Sequence, residues 1–238
     1  MKIVAPVSSI QEVEMLVQSG ADELYCGVST HEWEEHFAGK WWMNRRDPRG
    51  ANLTSWAEIK DVTQLARERG VPVYVTLNAP FYTPEGIAYL LRLSERLIGE
   101  LSVDGFIVSD LNLLMEGSRE GLFPKVHLSS LGGCVNSKSA DYFHSFGVTR
   151  IILPRQLRLS EIDQLIGRAN SSLEFEVFAL NDGCYFEEGL CQANHAFGPL
   201  CLMDWKVESF GDRENPFSSD QVRECLGELE EYLWYQNN

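Results

Sequence analysis

A chain of 238 residues with 44% hydrophobic and 23% charged residues can bury a substantial core without disulfide staples, and its composition excludes a disordered or fibrous protein. Its formal net charge of −15 argues against a broad phosphate-binding surface, because affinity for nucleic acid comes mainly from Lys and Arg. No run approaches the ~18 apolar residues of a membrane span. Met1-Lys2 leads into a short apolar stretch broken by Pro6 and Ser8 rather than into a signal peptide, so the expected compartment is the cytoplasm.

The predicted elements alternate along the chain. Lys2–Val7 reads as a strand. Ile10, Val13, Leu16 and Val17 follow at helical spacing behind Ser8 or Ser9, and Gly20 ends that helix. Glu23–Val28 is the second strand, and a long polar and aromatic loop runs from Ser29 to about Leu53. Thr54 or Ser55 caps a helix that ends at Gly70. Strand and helix then repeat: Pro72–Asn78 and Thr83–Leu101, Gly105–Asp110 and Leu113–Glu120, Lys125–Ser130 and Ser137–Phe146, Arg150–Arg155 and Leu159–Ala169. Phe175–Leu180 is the seventh strand, and Trp205–Ser209 is a weak eighth. Ser218 or Ser219 caps a final helix to about Tyr235.

Near-continuous apolar strands alternating with helices predict a parallel sheet buried on both faces. Seven or eight such units favour an α/β fold of the (β/α)-barrel, TIM-like type, as one domain over 1–238 in which 181–238 is a cysteine-bearing extension. No G-x-G-x-x-G follows the first strand and no phosphate-loop motif occurs. In such barrels the chemistry sits at the carboxyl ends of the strands. That rule selects Asn78, Ser109, Asp110, Ser129, Arg155 and Asn181. Asn78 and Ser109 there can orient substrate hydroxyls, or cap the next helix, as Asp110 is well placed to do. Arg45 and Arg46 stand in the long second loop. With Arg155 they are the candidate carboxylate ligands, with surface ion pairing as the alternative. Asp110, His127 and Glu176 are candidate acid–base groups by position alone.

Six cysteines in a reducing compartment need a reason. Cys184, Cys191, Cys201 and Cys225 fall within 42 positions, with gaps of 6, 9 and 23 residues. Such a cluster reads as metal ligands rather than disulfides. The spacing is neither a zinc ribbon nor a ferredoxin run. Cys225 also shares a helix face with Val222, Leu226, Leu229 and Leu233, which allows a buried core thiol instead. His195, between the second and third of these cysteines, is either a further ligand or an exposed loop residue. Cys26 and Cys134 are expected to belong to the fold.

In order along the chain come Val4-Ala5-Pro6, Gly20-Ala21-Asp22-Glu23-Leu24-Tyr25, Val75-Thr76-Leu77-Asn78, Val108-Ser109-Asp110, His127-Leu128-Ser129, Leu153-Pro154-Arg155 and Glu176-Val177-Phe178 before Cys184 and Cys191. Over about residues 2–201 the chain resembles the U32 family, historically labelled peptidases or collagenases. Leu180 and Asn181 stand where that family usually has His-Gly, so a role of that His does not carry over.

The resemblance implies oxygen-independent hydroxylation rather than proteolysis. Family members of this kind hold a [4Fe–4S] cluster on four cysteines; the resemblance matches Cys184 and Cys191, and Cys201 and Cys225 are the further candidate ligands from the cysteine cluster, with zinc as the alternative metal. They hydroxylate ubiquinone precursors or tRNA and rRNA bases, with prephenate implicated as oxygen source. The net charge of −15 selects a small-molecule acceptor over RNA. The alternatives are an RNA-base hydroxylation protein and a non-catalytic subunit that pairs with a second U32-like chain. Proteolysis is further disfavoured because no G-x-S-x-G, no H-E-x-x-H and no poised Cys–His pair occurs.

Overall fold

The computed structural model describes residues 1–37, 41–46, 50–180 and 188–189, with the backbone of 206–207 and 217–218. The elements are β1 (Val4–Pro6), α1 (Ile10–Gln18), β2 (Glu23–Val28), α2 (His31–Phe37), β3 (Asn52–Leu53), α3 (Trp56–Glu68), β4 (Val73–Leu77), α4 (Pro84–Leu101), β5 (Gly105–Val108) and α5 (Leu111–Arg119). They continue with β6 (Val126–Leu128), a 3-10 turn at Ser130–Gly132, α6 (Ser137–His144), β7 (Val148–Ile152), α7 (Leu159–Arg168), β8 (Glu174–Glu176), β9 (Lys206–Val207) and β10 (Phe217–Ser218). The main sheet runs β1-β2-β4-β5-β6-β7-β8, with β3 also on β2. Every pairing in it is parallel. The sheet curls into a half-barrel of the TIM-like α/β type: the Arg150 side chain of β7 reaches Glu23 of β2 across the lumen, with Nη1 2.5 Å from Oε2.

The two-residue period of the strands sorts side chains between two environments. Leu24, Cys26, Val28, Val73, Val75, Leu77, Phe106, Val108, Val126 and Leu128 face the helices and belong to the main core. The cross-strand row Gly27, Thr76, Ile107, His127, Arg150 and Glu174 belongs to the other face. There Tyr25, Tyr74, Ile107 and Ile152 form a second, smaller cluster. One face is therefore aliphatic and the lumen is polar and aromatic.

The helices start where local chemistry satisfies their free N–H groups. Ser55 and Glu58 form a reciprocal capping box at α3. Thr83 accepts from Gly86 N at α4, where Pro84 occupies the first turn. Asn136 and Ser139 do the same at α6.

Three expectations change. The stretch from Ser29 to Leu53 is not one loop: it contains α2 and β3. Trp33 drives this, being 1% exposed and packed against Phe37 and Tyr89. The eighth strand does not join the barrel: Lys206–Val207 pairs antiparallel with Phe217–Ser218 in a separate sheet. The seventh strand ends at Glu176, not Leu180, and Leu180 is fully exposed. The predicted final helix lies outside the described residues.

Candidate active site at the carboxyl ends of the strands

The mouth of the barrel is floored by the chain that follows β2. Asn44 is buried; its Nδ2 donates to Val28 O at 2.9 Å and its Oδ1 accepts from Arg46 N at 2.9 Å. Arg46 donates from Nε to Ala51 O (2.8 Å) and from Nη2 to Ser8 Oγ (3.0 Å), and its guanidinium lies 5.1 Å from the Tyr25 ring centre. This cation ties the exit of β1 to the entry of β3. The approach requires glycine at position 27, where a Cβ would sit 1.9 Å from Asn52 Oδ1 and 2.9 Å from Arg46 Cδ.

Three predicted strand-end residues meet here. Asn78 accepts from Arg45 N at 3.1 Å and donates from Nδ2 to Ser129 Oγ at 3.2 Å. Ser109 Oγ donates to Ala79 O at 2.7 Å. Asp110 instead caps α5: Oδ1 accepts from Leu113 N (2.8 Å) and Oδ2 from Tyr82 N (3.0 Å). Its two oxygens are thus engaged with backbone, as the capping reading expects.

Beneath the mouth lies a charged layer. Arg150, 6% exposed, pairs with Glu23, with Glu174 (2.6 Å) and with Glu176 (3.2 Å), and Lys2 reaches Glu23 at 2.9 Å. Burial opposes the charge on Glu23, but hydrogen bonds from Arg150 and Lys2 outweigh it and hold its pKa down to about 2. Glu176 moves the other way: burial raises its pKa more than Arg150 lowers it. His127 is 2% exposed and its ring lies 4.2 Å from that of Tyr74. Burial, then the Arg150 charge, depress its pKa to about 3, so it is a neutral imidazole at pH 7. Glu176 and His127 therefore line the lumen, and burial shifts each towards its neutral form, raising the pKa of the acid and lowering that of the imidazole.

Arg155 follows β7 and meets a residue that the sequence reading passed over. Its Nη2 donates to Glu188 Oε1 (2.9 Å), while Nε and the backbone N donate to Oε2 (both 3.1 Å). Ser130 Oγ donates to the same Oε1 at 2.8 Å. Glu188 is 4% exposed. Burial works against its charge, but Arg155 and Ser130 hold its pKa below the usual range. Its position between Cys184 and Cys191 was the one available signal in the sequence.

Cys26 and Cys134 are free and buried. Burial pushes the Cys26 thiol up to about 12 and raises that of Cys134. Both are core thiols, as expected. Asn181, Cys184, Cys191, His195, Cys201 and Cys225 lie outside the described residues. Among the described residues no group of three or more His, Cys, Asp or Glu is placed to hold a metal ion, and no helix is long and apolar enough to cross a membrane.

A curled parallel sheet with polar side chains gathered at its carboxyl ends defines a TIM-like α/β protein. The model of peptidase family U32 matches residues 8–199, and the chain belongs to that family. A solved U32 peptidase superposes with a TM-score of 0.59 at 19% identity, covering 74% of this chain and 68% of that one. A glycerophosphodiester phosphodiesterase from Parabacteroides distasonis gives 0.54 at 14% identity, covering 76% of this chain and 84% of that one. At such identities the likeness concerns the fold alone.

Among curated proteins, a tRNA hydroxylation protein P of Helicobacter pylori is 28% identical over 193 residues, 80% of this chain and 41% of that protein. A Porphyromonas gingivalis collagenase is 25% identical, over 80% of this chain and 44% of that protein. The Escherichia coli 23S rRNA 5-hydroxycytidine C2501 synthase is 28% identical, over 62% of this chain and 22% of that protein. The chain thus spans less than half the length of these relatives. Two of the three names concern RNA, which weighs against the expectation, drawn from charge alone, that nucleic acid is an improbable partner.

Proposed function

We propose that this chain forms the barrel of an oxygen-independent hydroxylation enzyme, with the acceptor ring held at the mouth beside Asn78, Ser109 and Ser129. The observation that carries this is the family match over residues 8–199 together with relatives named for tRNA and rRNA hydroxylation. Those names favour a nucleobase as acceptor. The net charge of −15 favours the second reading, a small molecule, because an acidic surface repels a polyanion.

Cys184, Cys191, Cys201 and Cys225 are proposed to hold a [4Fe–4S] cluster, with zinc as the alternative. The donor set supports this: of six cysteines two are buried core thiols, and the remaining four are the number such a cluster takes. A bound cluster supplies electron transfer or, with one iron left open, Lewis acidity. The chain's own residues do the rest. Asn78 and Ser129 orient polar groups of the acceptor, Arg45 and Arg46 attract a prephenate-like carboxylate oxygen donor, and Glu176, whose pKa burial raises, is the candidate acid. The setting is the reducing cytoplasm, alone or beside a second U32-like subunit.

The test is nucleoside mass spectrometry of tRNA and rRNA from anaerobic cultures with and without the gene. Loss of one hydroxylated nucleoside supports the base reading. Unchanged RNA with loss of a hydroxylated small metabolite supports the second. No change in either overturns hydroxylation. Turnover of the acceptor by the isolated chain excludes a purely non-catalytic partner role.

A further inference from the structure

Tyr25 faces the lumen with a hydroxyl that the chemistry above does not use. It stands in β2, paired in register with Tyr74 of β4, and its ring packs on the lumen cluster of Tyr74, Ile107 and Ile152. Tyr74 is 3% exposed, whereas Tyr25 is half-buried, so Tyr25 is the one of the pair that a ligand can reach. Gly27, two residues on, shares its face of the strand. A Cβ there would lie 2.9 Å from Arg46 Cδ, and the Arg46 guanidinium comes to rest 5.1 Å from the Tyr25 ring centre. Arg46 therefore lies along the lumen face of β2. The chain itself holds it there: Asn44 Oδ1 accepts from its backbone N (2.9 Å), Ala51 O from its Nε (2.8 Å) and Ser8 Oγ from its Nη2 (3.0 Å). A guanidinium carries five N–H donors, of which the last two contacts engage two. The Tyr25 hydroxyl makes no hydrogen bond among the described residues. Tyr82 and Tyr89 differ: Tyr82 Oη donates to Met43 O at 2.6 Å and accepts from Ala79 N at 2.9 Å, and Tyr89 Oη pairs with Thr30 Oγ1 at 2.5 Å. Buried polar groups are normally paired, so the Tyr25 phenol is a donor waiting for an acceptor. Burial outweighs the opposing charge of Arg46 and raises its pKa from 10, so it keeps its proton at neutral pH.

We propose that the Tyr25 hydroxyl and the Arg46 guanidinium form a carboxylate-binding subsite on the lumen face of β2, in which the phenol donates the hydrogen bond that orients the anion. This rests on the reading that a carboxylate-bearing oxygen donor is held at the mouth. The pair presents a fixed cation and a neutral donor, which selects a small organic acid over a cationic or neutral ligand. Hydrogen bonds to a carboxylate are charge-assisted and stronger than neutral ones, and the phenol adds one without a second charge to desolvate. Arg46 is already pinned by Asn44, Ala51 and Ser8, so binding orders little that is not ordered beforehand. The Tyr25 ring beneath the guanidinium fixes its plane further through the cation–π contact.

The experiment titrates the full-length chain, Tyr25→Phe and Arg46→Gln with prephenate, with benzoate and with benzamide, the neutral isostere of benzoate, by calorimetry. Far-UV circular dichroism follows melting. The wild type is expected to bind prephenate and to prefer benzoate to benzamide. Tyr25→Phe keeps the ring and loses only the hydroxyl. It is expected to melt as the wild type does and to bind prephenate about tenfold more weakly, the loss of one hydrogen bond to a charged group. Arg46→Gln is expected to weaken binding at least as much and to abolish the preference for benzoate. Arg46→Lys, which keeps the charge without the fork, replaces it if it does not fold and should show a smaller loss. Binding by Tyr25→Phe within about twofold of wild type, on the same scale, overturns the role of the phenol. A Tyr25→Phe chain that does not fold overturns it too, because the hydroxyl is then structural. A wild type that binds neither carboxylate overturns the subsite, whatever the nucleoside profiles show. Carboxylate binding lost in both variants, in a chain whose deletion changes no hydroxylated product, supports the subsite and overturns hydroxylation alone.

Discussion

Arg150 carries the charge balance of the lumen. Three carboxylates converge on it, from β2 and β8. Removing the cation leaves Glu23, 2% exposed at its side chain, with Lys2 as its remaining partner. Arg150→Met is therefore expected to destabilise the fold by about 3–5 kcal/mol, the range for breaking a buried pair from one side, as read by urea unfolding at pH 7. The double change Arg150→Met with Glu23→Gln should recover part of that loss, because the buried charge goes with its partner.

His127 gives a pH dependence at the same scale. Its folded pKa is depressed from 6.5 to about 3, so its contribution to stability is complete above pH 6.5 and is lost as pH falls towards 3. Glu23, lowered from 4.5 to about 2, adds to the loss below pH 4.5. Glu176, raised by burial, acts in the opposite sense and favours the folded state on acidification. Between pH 7 and pH 4 the wild type is expected to lose about 2–3 kcal/mol through His127. His127→Gln should flatten that part of the stability–pH curve, and an unchanged slope would place the acid sensitivity elsewhere.

At the scale of elements, the turn after β2 decides the shape of the mouth. Gly27→Ala puts a methyl group against Asn52, Arg46 and Asn44. Overpacking of this kind costs about 1–3 kcal/mol. The expected outcome is a folded chain with lower melting temperature and a larger loss of acceptor binding than the stability change explains. Ser55→Ala removes the exposed α3 capping box. It should cost about 1 kcal/mol and, because Ser55 bonds Glu58 rather than any mouth residue, lower binding by no more than the stability change explains, which makes it the control. The strands and most helices were legible because burial on both faces of a parallel sheet leaves apolar runs, and capping residues mark the helix starts. α2 was not legible. Its reason is Trp33, whose burial depends on Phe37 nearby and on Tyr89 of α4, and a contact to α4 leaves no period in the local sequence.

At the scale of the whole molecule, Cys26 and Cys134 are core thiols, and the other four cysteines are the proposed ligands. Cys26→Ala and Cys134→Ala are expected to retain iron after anaerobic reconstitution and to lower the melting temperature, since both thiols are buried in the core. Cys184→Ala and Cys191→Ala are expected to lose iron with the barrel melting nearly unchanged. Iron retained in the second pair would move the ligands elsewhere. Of the candidate site, Asn78, Ser109 and Ser129 were legible because they end strands on the lumen-facing period, a property that two-residue alternation carries along the chain.

What the sequence by itself determined was local and periodic: the alternation of strand and helix, the caps, the residues at strand tips and the family resemblance. What only the tertiary structure decided was which distant charges meet. Glu23 and Arg150 are 127 residues apart, and Arg155 and Glu188 are 33 apart. An acid and a base at such separations leave no mark in local periodicity. Whether each is a free surface charge, a ligand for substrate or half of a buried pair depends on how the sheet curls, which is a property of all its strands together.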